Sequence, residues 1–368
     1  MRRIAIAVVA STMSLSLAGC GMLGASGSSS DATPTRRDDL RIAALFPEAT
    51  NTRYKDFDYP FIKAKVDELT NKKATTSFEN ADDEATQSQQ MQKAIDDKVD
   101  GIILDAVDSK KIASMVKRAK EAGITVIAYD RLAEGPIDAY VSFDNELVGE
   151  VQGRSITEAL GSASTADKIV MINGSPTDPN AGQFKAGALN ELSGRVTIAA
   201  QYDTDKWDPV IAQASMTKAI NRIGKDNIAA VYSANDSMAG GVIKALEAAG
   251  VSDADLPPIT GQDAELPAVR RIITGEQYMT VYKPYPSEAE AAAEAMVAKL
   301  QGRDLQFEAL TRDQVDSATQ ENIPSKLVTV VALKKSNIKS TIVADGIYKI
   351  SDICTAPYKT ACNAIGLN

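Results

Sequence analysis

Short apolar runs alternate along this chain with longer segments whose apolar positions recur at helical spacing. From Leu40, strands are predicted at 41–46, 75–78, 101–104 and 125–129, the second of them weaker. Helices are predicted between them. One covers 59–70, with Phe61, Ile62, Val66 and Leu69 on one face. Another covers 84–98, with Met91, Ile95 and Val99 inward, and a third covers 110–122 and stops at Gly123. After Phe143 a second series begins. It predicts helices at 146–160, 184–192, 209–223, 238–249 and 266–275, and strands at 168–173, 197–202, 228–233, 258–261 and 278–282.

Such alternation implies a parallel, doubly wound sheet, here built twice. The expected fold class is therefore α/β: two Rossmann-like lobes with parallel sheets, joined by a multi-strand hinge. The Ala-rich helix at 287–300 is expected to return to the first lobe, and the tail from about residue 327 to cross again. The first lobe then comprises 40–143 and 283–326, the second 144–282 and 327–368. Clefts between lobes are preferred small-ligand sites.

Apolar runs in both series end abruptly at hydrogen-bonding side chains. Residues 126–129 run into Asp130-Arg131, 140–143 into Asp144-Asn145, and 228–234 into Asn235-Asp236. Residues 258–261 run into Gln262-Asp263, and 279–282 into Lys283. An open parallel sheet binds ligands just outside the carboxyl ends of its strands. Acceptor-only carboxylates beside donor-only Arg and Lys, with amides supplying both, suit a polyhydroxylated ligand. Asp144-Asn145 reads mainly as a cap for the following helix. Asn235-Asp236 admits both readings, and Gln262 is left open.

Composition narrows the function classes. With 44% hydrophobic residues among 368, the chain can bury a sizeable core. Its formal charge of −9 disfavours nucleic acid as a partner. The sequence contains no histidine, which removes Ser-His and Cys-His catalysis and imidazole zinc sites. No cofactor and no metal are expected. The G-C-G-M-L-G at 19–24 neither follows a strand nor opens a helix, so it is not a dinucleotide fingerprint. Asp203, Asp205 and Asp208 begin like a calcium loop, but Asp208 replaces its Gly and Ala214 its closing Glu.

Residues 1–19 read as an export signal, with Arg2-Arg3 ahead of an apolar stretch too short to span a bilayer. Leu17-Ala18-Gly19-Cys20 resembles a bacterial lipobox, which implies cleavage before Cys20 and lipid on its thiol. Residues 20–39, rich in Gly, Ser, Asp and Thr, are expected to be a flexible tether. The expected location is extracytoplasmic, anchored to the membrane through Cys20. Cys354 and Cys362 then lie in an oxidising compartment, where a disulfide is the natural inference.

Six ordered segments carry a resemblance. They are A-Y-D-R-L (128–132), Y-V-S-F-D-N-E-L-V-G-E (140–150), N-G-S-P-T-D-P-N-A (173–181), A-N-D-S-M-A-G-G (234–241), T-G-Q-D-A-E-L (260–266) and M-T-V-Y-K-P (279–284). Together they are similar to the bacterial periplasmic sugar-binding proteins of ABC importers, of the type I, ribose-binding-like fold. The nearest branch is the xylose-binding and multi-sugar-binding one. Related repressors begin with a helix-turn-helix, whereas this chain begins with a lipoprotein-like signal. The resemblance implies ligand contacts from Arg53, Tyr54, Asp130, Arg131, Asn180, Trp207, Asn235, Asp236, Asp263 and Lys283. Tyr54 and Trp207 would stack on the sugar, and Tyr54 departs from the family's usual Trp. Implied partners are a monosaccharide (xylose first, or arabinose, glucose or galactose) and a membrane permease, with the protein a monomer. The rival readings are a sugar sensor feeding a chemoreceptor or kinase, and a carbohydrate-active enzyme pairing Asp130 with Asp236.

Overall fold

A computed structural model describes residues 37–48 and 53–368. The expected signal, Cys20 and the tether as far as residue 36 lie outside the described residues. The first series comprises β1 (Arg41–Pro47), α1 (Tyr59–Leu69), β2 (Thr75–Ala81), α2 (Glu84–Asp96), β3 (Gly101–Leu104), α3 (Ala113–Glu121), β4 (Thr125–Tyr129) and β5 (Ala139–Phe143). The second comprises α4 (Asn145–Leu160), β6 (Lys168–Asn173), α5 (Pro179–Leu192), β7 (Thr197–Asp203), α6 (Pro209–Ile223), β8 (Ala230–Ser233), α7 (Asp236–Ala248), α8 (Leu266–Thr274) and β9 (Thr280–Tyr282). Then follow α9 (Tyr285–Leu300), α10 (Asp304–Leu310), β10 (Asp313–Val315), β11 (Ile323–Val328), β12 (Val331–Leu333), α11 (Ile350–Ile353) and α12 (Lys359–Ala364). Among the described residues no helix is long and apolar enough to cross a membrane.

The first sheet has the order β10-β11-β5-β4-β3-β1-β2 and is parallel except at β10. Strands β3 and β5 at its centre are buried along their length, as strands covered on both faces must be. Alternation sorts their side chains. Ala44, Phe46, Ile103, Ile127 and Val141 meet α1 and α9 on one face, while Leu45, Ile102, Leu104 and Val126 meet α2 and α3 on the other. Alanines 289, 292 and 293 let α9 lie close against the first face.

The second half is built on the parallel order β7-β6-β8. The strand expected at 258–261 reduces to a single bridge, Ile259 to Val231, and another bridge joins Gln262 to Val281 of β9. Pro257 and Pro258 lack the donors a longer ladder needs. The helix expected from residue 184 starts earlier, at Pro179, because Asp178 caps it by accepting from Asn180 N. Helices α4 and α5 touch backbone to backbone. A Cβ on Gly149 would sit 1.9 Å from Phe184 O, and one on Gly187 would sit 1.9 Å from Glu146 O.

The chain passes between the two sheets after β5, before α9 and after β11. The residues at these crossings, Phe143, Tyr285 and Val328, pack in one small cluster. Beyond β12 the tail folds onto α8, burying Ile338, Ile342, Ile353 and Leu367 with Ile272 and Ile273. A disulfide joins Cys354 and Cys362 there.

Candidate functional site

The carboxyl ends of β1, β4, β6, β8 and β9 converge on one cavity, where open α/β sheets place their ligands. The first half supplies Glu48, Arg53, Tyr54, Asp130 and Arg131. The second supplies Asp178, Asn180, Phe184, Trp207, Asn235, Gln262 and Asp263, and Lys283 enters where the chain crosses. Glu48, Asp130, Trp207 and Asp263 all have positive φ, a costly conformation for residues with a Cβ. For Glu48 and Asp130 the turn comes immediately after the strand, and Trp207 ends a short helical turn that follows β7.

Asp130 is the junction of the two halves. Its amide donates to Val141 O at 2.9 Å. Its carbonyl accepts from Ser142 Oγ at 2.7 Å and Tyr140 OH at 2.8 Å, which pins the turn to β5. Its carboxylate accepts from Arg53 Nη1 at 2.5 Å and, across the cavity, from Asn180 Nδ2 at 2.8 Å. Burial would raise this carboxyl, but Lys283, Arg53 and Arg131 together hold it below the ordinary carboxylate range.

Arg53 precedes a π-helical turn, Tyr54–Asp58, that runs into α1. Besides Asp130, its guanidinium donates to both Asp58 oxygens, at 2.9 and 3.0 Å, and to Glu288 Oε2 at 2.7 Å. It also lies 4.3 Å from the centre of the Tyr285 ring. Tyr54 stacks on Phe46 at 5.3 Å. Lys283 Nζ pairs with Asp263 Oδ1 at 3.0 Å and reaches Asp130 Oδ2 at 3.6 Å. Burial alone would lower the Lys283 ammonium, but Asp130 and Asp263 outweigh it and keep it above its ordinary value.

Arg131 donates to Glu48 Oε1 at 2.8 Å and Ala106 O at 3.2 Å, and its Nε pairs across the cavity with Asp178 Oδ2 at 2.9 Å. Burial pushes the Asp178 carboxyl up to about 6 against the pull of Arg131. The same Asp178 oxygen accepts from Trp207 Nε1 at 3.2 Å. The indole is backed by Phe184, with ring centres 6.2 Å apart, and by Gly174, where a Cβ would come within 2.0 Å of it.

Of the expected contacts, all but Asp236 line the cavity. Asp236 requires a correction. As the first residue of α7 it turns away from the cavity, and its carboxylate accepts from Gln277 Nε2 at 2.7 Å, Thr280 Oγ1 at 2.9 Å and Glu265 N at 3.0 Å. It fastens β9 and the start of α8, and the Asp130–Asp236 pair of the enzymatic reading is not assembled around the cavity. Asn235 both caps α7, accepting from Met238 N at 3.0 Å, and lines the cavity. Gln262 lines it too, whereas Asp144 caps α4 by accepting from Leu147 N. Sequence reasoning missed Glu48, Asp178 and Phe184. Glu48 follows a strand end like the others, and Asp178-Pro179 is a helix-start signal that concealed a second role.

A family profile described as the periplasmic binding protein domain matches residues 42–304. The chain belongs to the periplasmic binding protein family. This family member is 35% identical over 276 residues to the D-xylose-binding periplasmic protein of Escherichia coli, covering 73% of this chain and 80% of that one. It is 34% identical to the multiple sugar-binding periplasmic receptor ChvE of Rhizobium radiobacter, over 68% of this chain and 75% of the relative. A solved ABC transporter solute-binding protein from Clostridium phytofermentans, with β-D-glucose bound, superposes with a TM-score of 0.75 at 25% identity. That superposition covers 85% of this chain and 99% of the other. The α/β architecture with mostly parallel sheets is thus that of the type I periplasmic binding proteins.

Proposed function

We propose that this protein is an extracytoplasmic solute-binding component of an ABC importer that captures one monosaccharide, with D-xylose the first candidate. Arabinose, glucose and galactose are the next candidates. The observation that carries this reading is the cavity lining. Donor-only Arg53, Arg131 and Lys283 alternate with acceptor-only Glu48, Asp130, Asp178 and Asp263, and the amides of Asn180, Asn235 and Gln262 fill between them. Tyr54, Phe184 and Trp207 are the aromatic residues of that lining, and aromatic rings suit the C–H surfaces of a pyranose. Hydrogen bonds to charged groups contribute about 1.5–3 kcal/mol each, so several can offset the ordering and desolvation of a small polar ligand.

The residues come from both halves, so a sugar makes its full set of contacts only when the halves are together. Binding then favours the closed form, which a membrane permease would read. Lipid on Cys20 would hold the protein at the membrane as a monomer, and no bond of the sugar is made or broken. Trp207 is the sole tryptophan, so its fluorescence should change on titration with the sugar that binds. A flat response to xylose, arabinose, glucose, galactose and ribose, with no rise in melting temperature, would overturn the monosaccharide reading.

A further inference from the structure

Asp105 follows β3 at its carboxyl end, directly behind Arg131 in the cavity wall. It is fully buried, and among the described residues neither carboxylate oxygen accepts a hydrogen bond. Its backbone holds it in place. The amide donates to Leu45 O at 2.9 Å, and the carbonyl accepts from Gln87 Nε2 at 2.8 Å. A buried carboxyl without hydrogen bonds, raised by that burial well above its ordinary value, opposes folding, so its presence calls for a state in which it is satisfied.

Arg131 supplies that state. Its Nε lies 3.6 Å from Asp105 Oδ1, too far for a hydrogen bond, and 2.9 Å from Asp178 Oδ2. Glu48, Ala106 and Asp105 belong to the same half as Arg131, and Asp178 alone among its partners belongs to the other. When the halves part, Asp178 leaves. A movement of Nε by about 0.7 Å, the difference between 3.6 and 2.9 Å, then gives Asp105 as close a contact as Asp178 had.

We propose that Asp105 is a positioning residue that holds Arg131 while the halves are apart and releases it to Asp178 as they close. This rests on the reading of the cavity as a site that closes on a sugar. With the halves together the pair is held at 3.6 Å, and the closer Asp105–Arg131 hydrogen bond forms only in the open form, so it opposes closure. It keeps the sugar-free protein open and the guanidinium oriented toward the cavity. Apparent affinity is reduced by the fraction of protein held open.

The test compares the full-length protein with Asp105→Asn and Asp105→Ala. Small-angle X-ray scattering without sugar should give a smaller radius of gyration for both variants, because the open form has lost its contact. D-xylose should bind roughly tenfold tighter to both, the equivalent of one charge-assisted contact. A residue that merely packs the wall would act the other way, lowering the melting temperature and weakening binding. Unchanged or larger sugar-free dimensions in both variants would overturn the proposal, as would weaker binding. Should no sugar bind even the wild-type protein, the functional reading fails, and the sugar-free scattering decides the role of Asp105 alone.

Discussion

Asp130 and Asp236 stand in matching sequence positions, each among polar residues just after a buried strand, yet they do different work. Asp130 faces Arg53, Asn180 and Lys283 across the cavity. Asp130→Asn keeps the shape and removes the charge that balances two buried cations. Sugar affinity should fall by about 2–3 kcal/mol, on the order of a hundredfold in Kd, measured by isothermal titration calorimetry. Asp236→Ala should instead leave Kd within about threefold and cost roughly 3 kcal/mol of stability, because Gln277, Thr280 and the Glu265 amide lose their buried acceptor. A large loss of affinity in a normally stable Asp236 variant would contradict this assignment. Strand-end position identifies a candidate, while the turn geometry after the strand decides which neighbour faces the ligand. Asn235, one residue earlier, is the one that lines the cavity.

Among the elements, the centre of the first sheet and α9 are legible in sequence because their apolar patterns are clean, whereas α10, β10 and β11 are not, their burial being partial and irregular. The segment around Ile259 is not, since a short run opened by two prolines looks like a strand and forms only a bridge. The full role of Asp178 is hidden for a different reason. Asp178 serves at once as helix cap, partner of Arg131 and acceptor for the Trp207 indole, and a sequence pattern carries only the first role. The α4–α5 contact was equally invisible, because it depends on glycines lacking a side chain. Gly149→Ala should force the helices apart at Phe184 and cost ~1–3 kcal/mol, seen as a lower urea midpoint with the slope unchanged. Gly174→Ala acts locally. A methyl there displaces the Trp207 indole, so intrinsic fluorescence and sugar affinity should change while the urea midpoint barely moves.

For the whole molecule, the concentration of buried carboxylates sets a pH dependence. Asp178 is pushed up to about 6 from an ordinary value of 3.8, first by burial. Burial likewise raises Asp105 and Glu288 well above their ordinary values. A carboxyl raised in the folded state holds a proton that the unfolded chain has released. Its contribution to stability is fully present below the unfolded value and is lost as pH rises through the folded one. For Asp178 that window runs from 3.8 to about 6. Asp130 is depressed and works in the opposite sense, but its contribution disappears only below the ordinary carboxylate value, beneath this window. The formal charge of −9 adds in the same direction as the raised groups, since protonation relieves self-repulsion. The sugar-bound protein, with its halves together, should therefore melt at a higher temperature at about pH 5.5 than at about pH 7.5. Asp178→Asn should narrow that difference by removing one titrating group and leaving the charge effect in place. A melting temperature that falls between those two pH values on acidification would mean that depressed carboxylates govern the fold instead. The ion pairs around Arg53 and Lys283, rather than the burial of their partners, would then dominate the molecule's electrostatics.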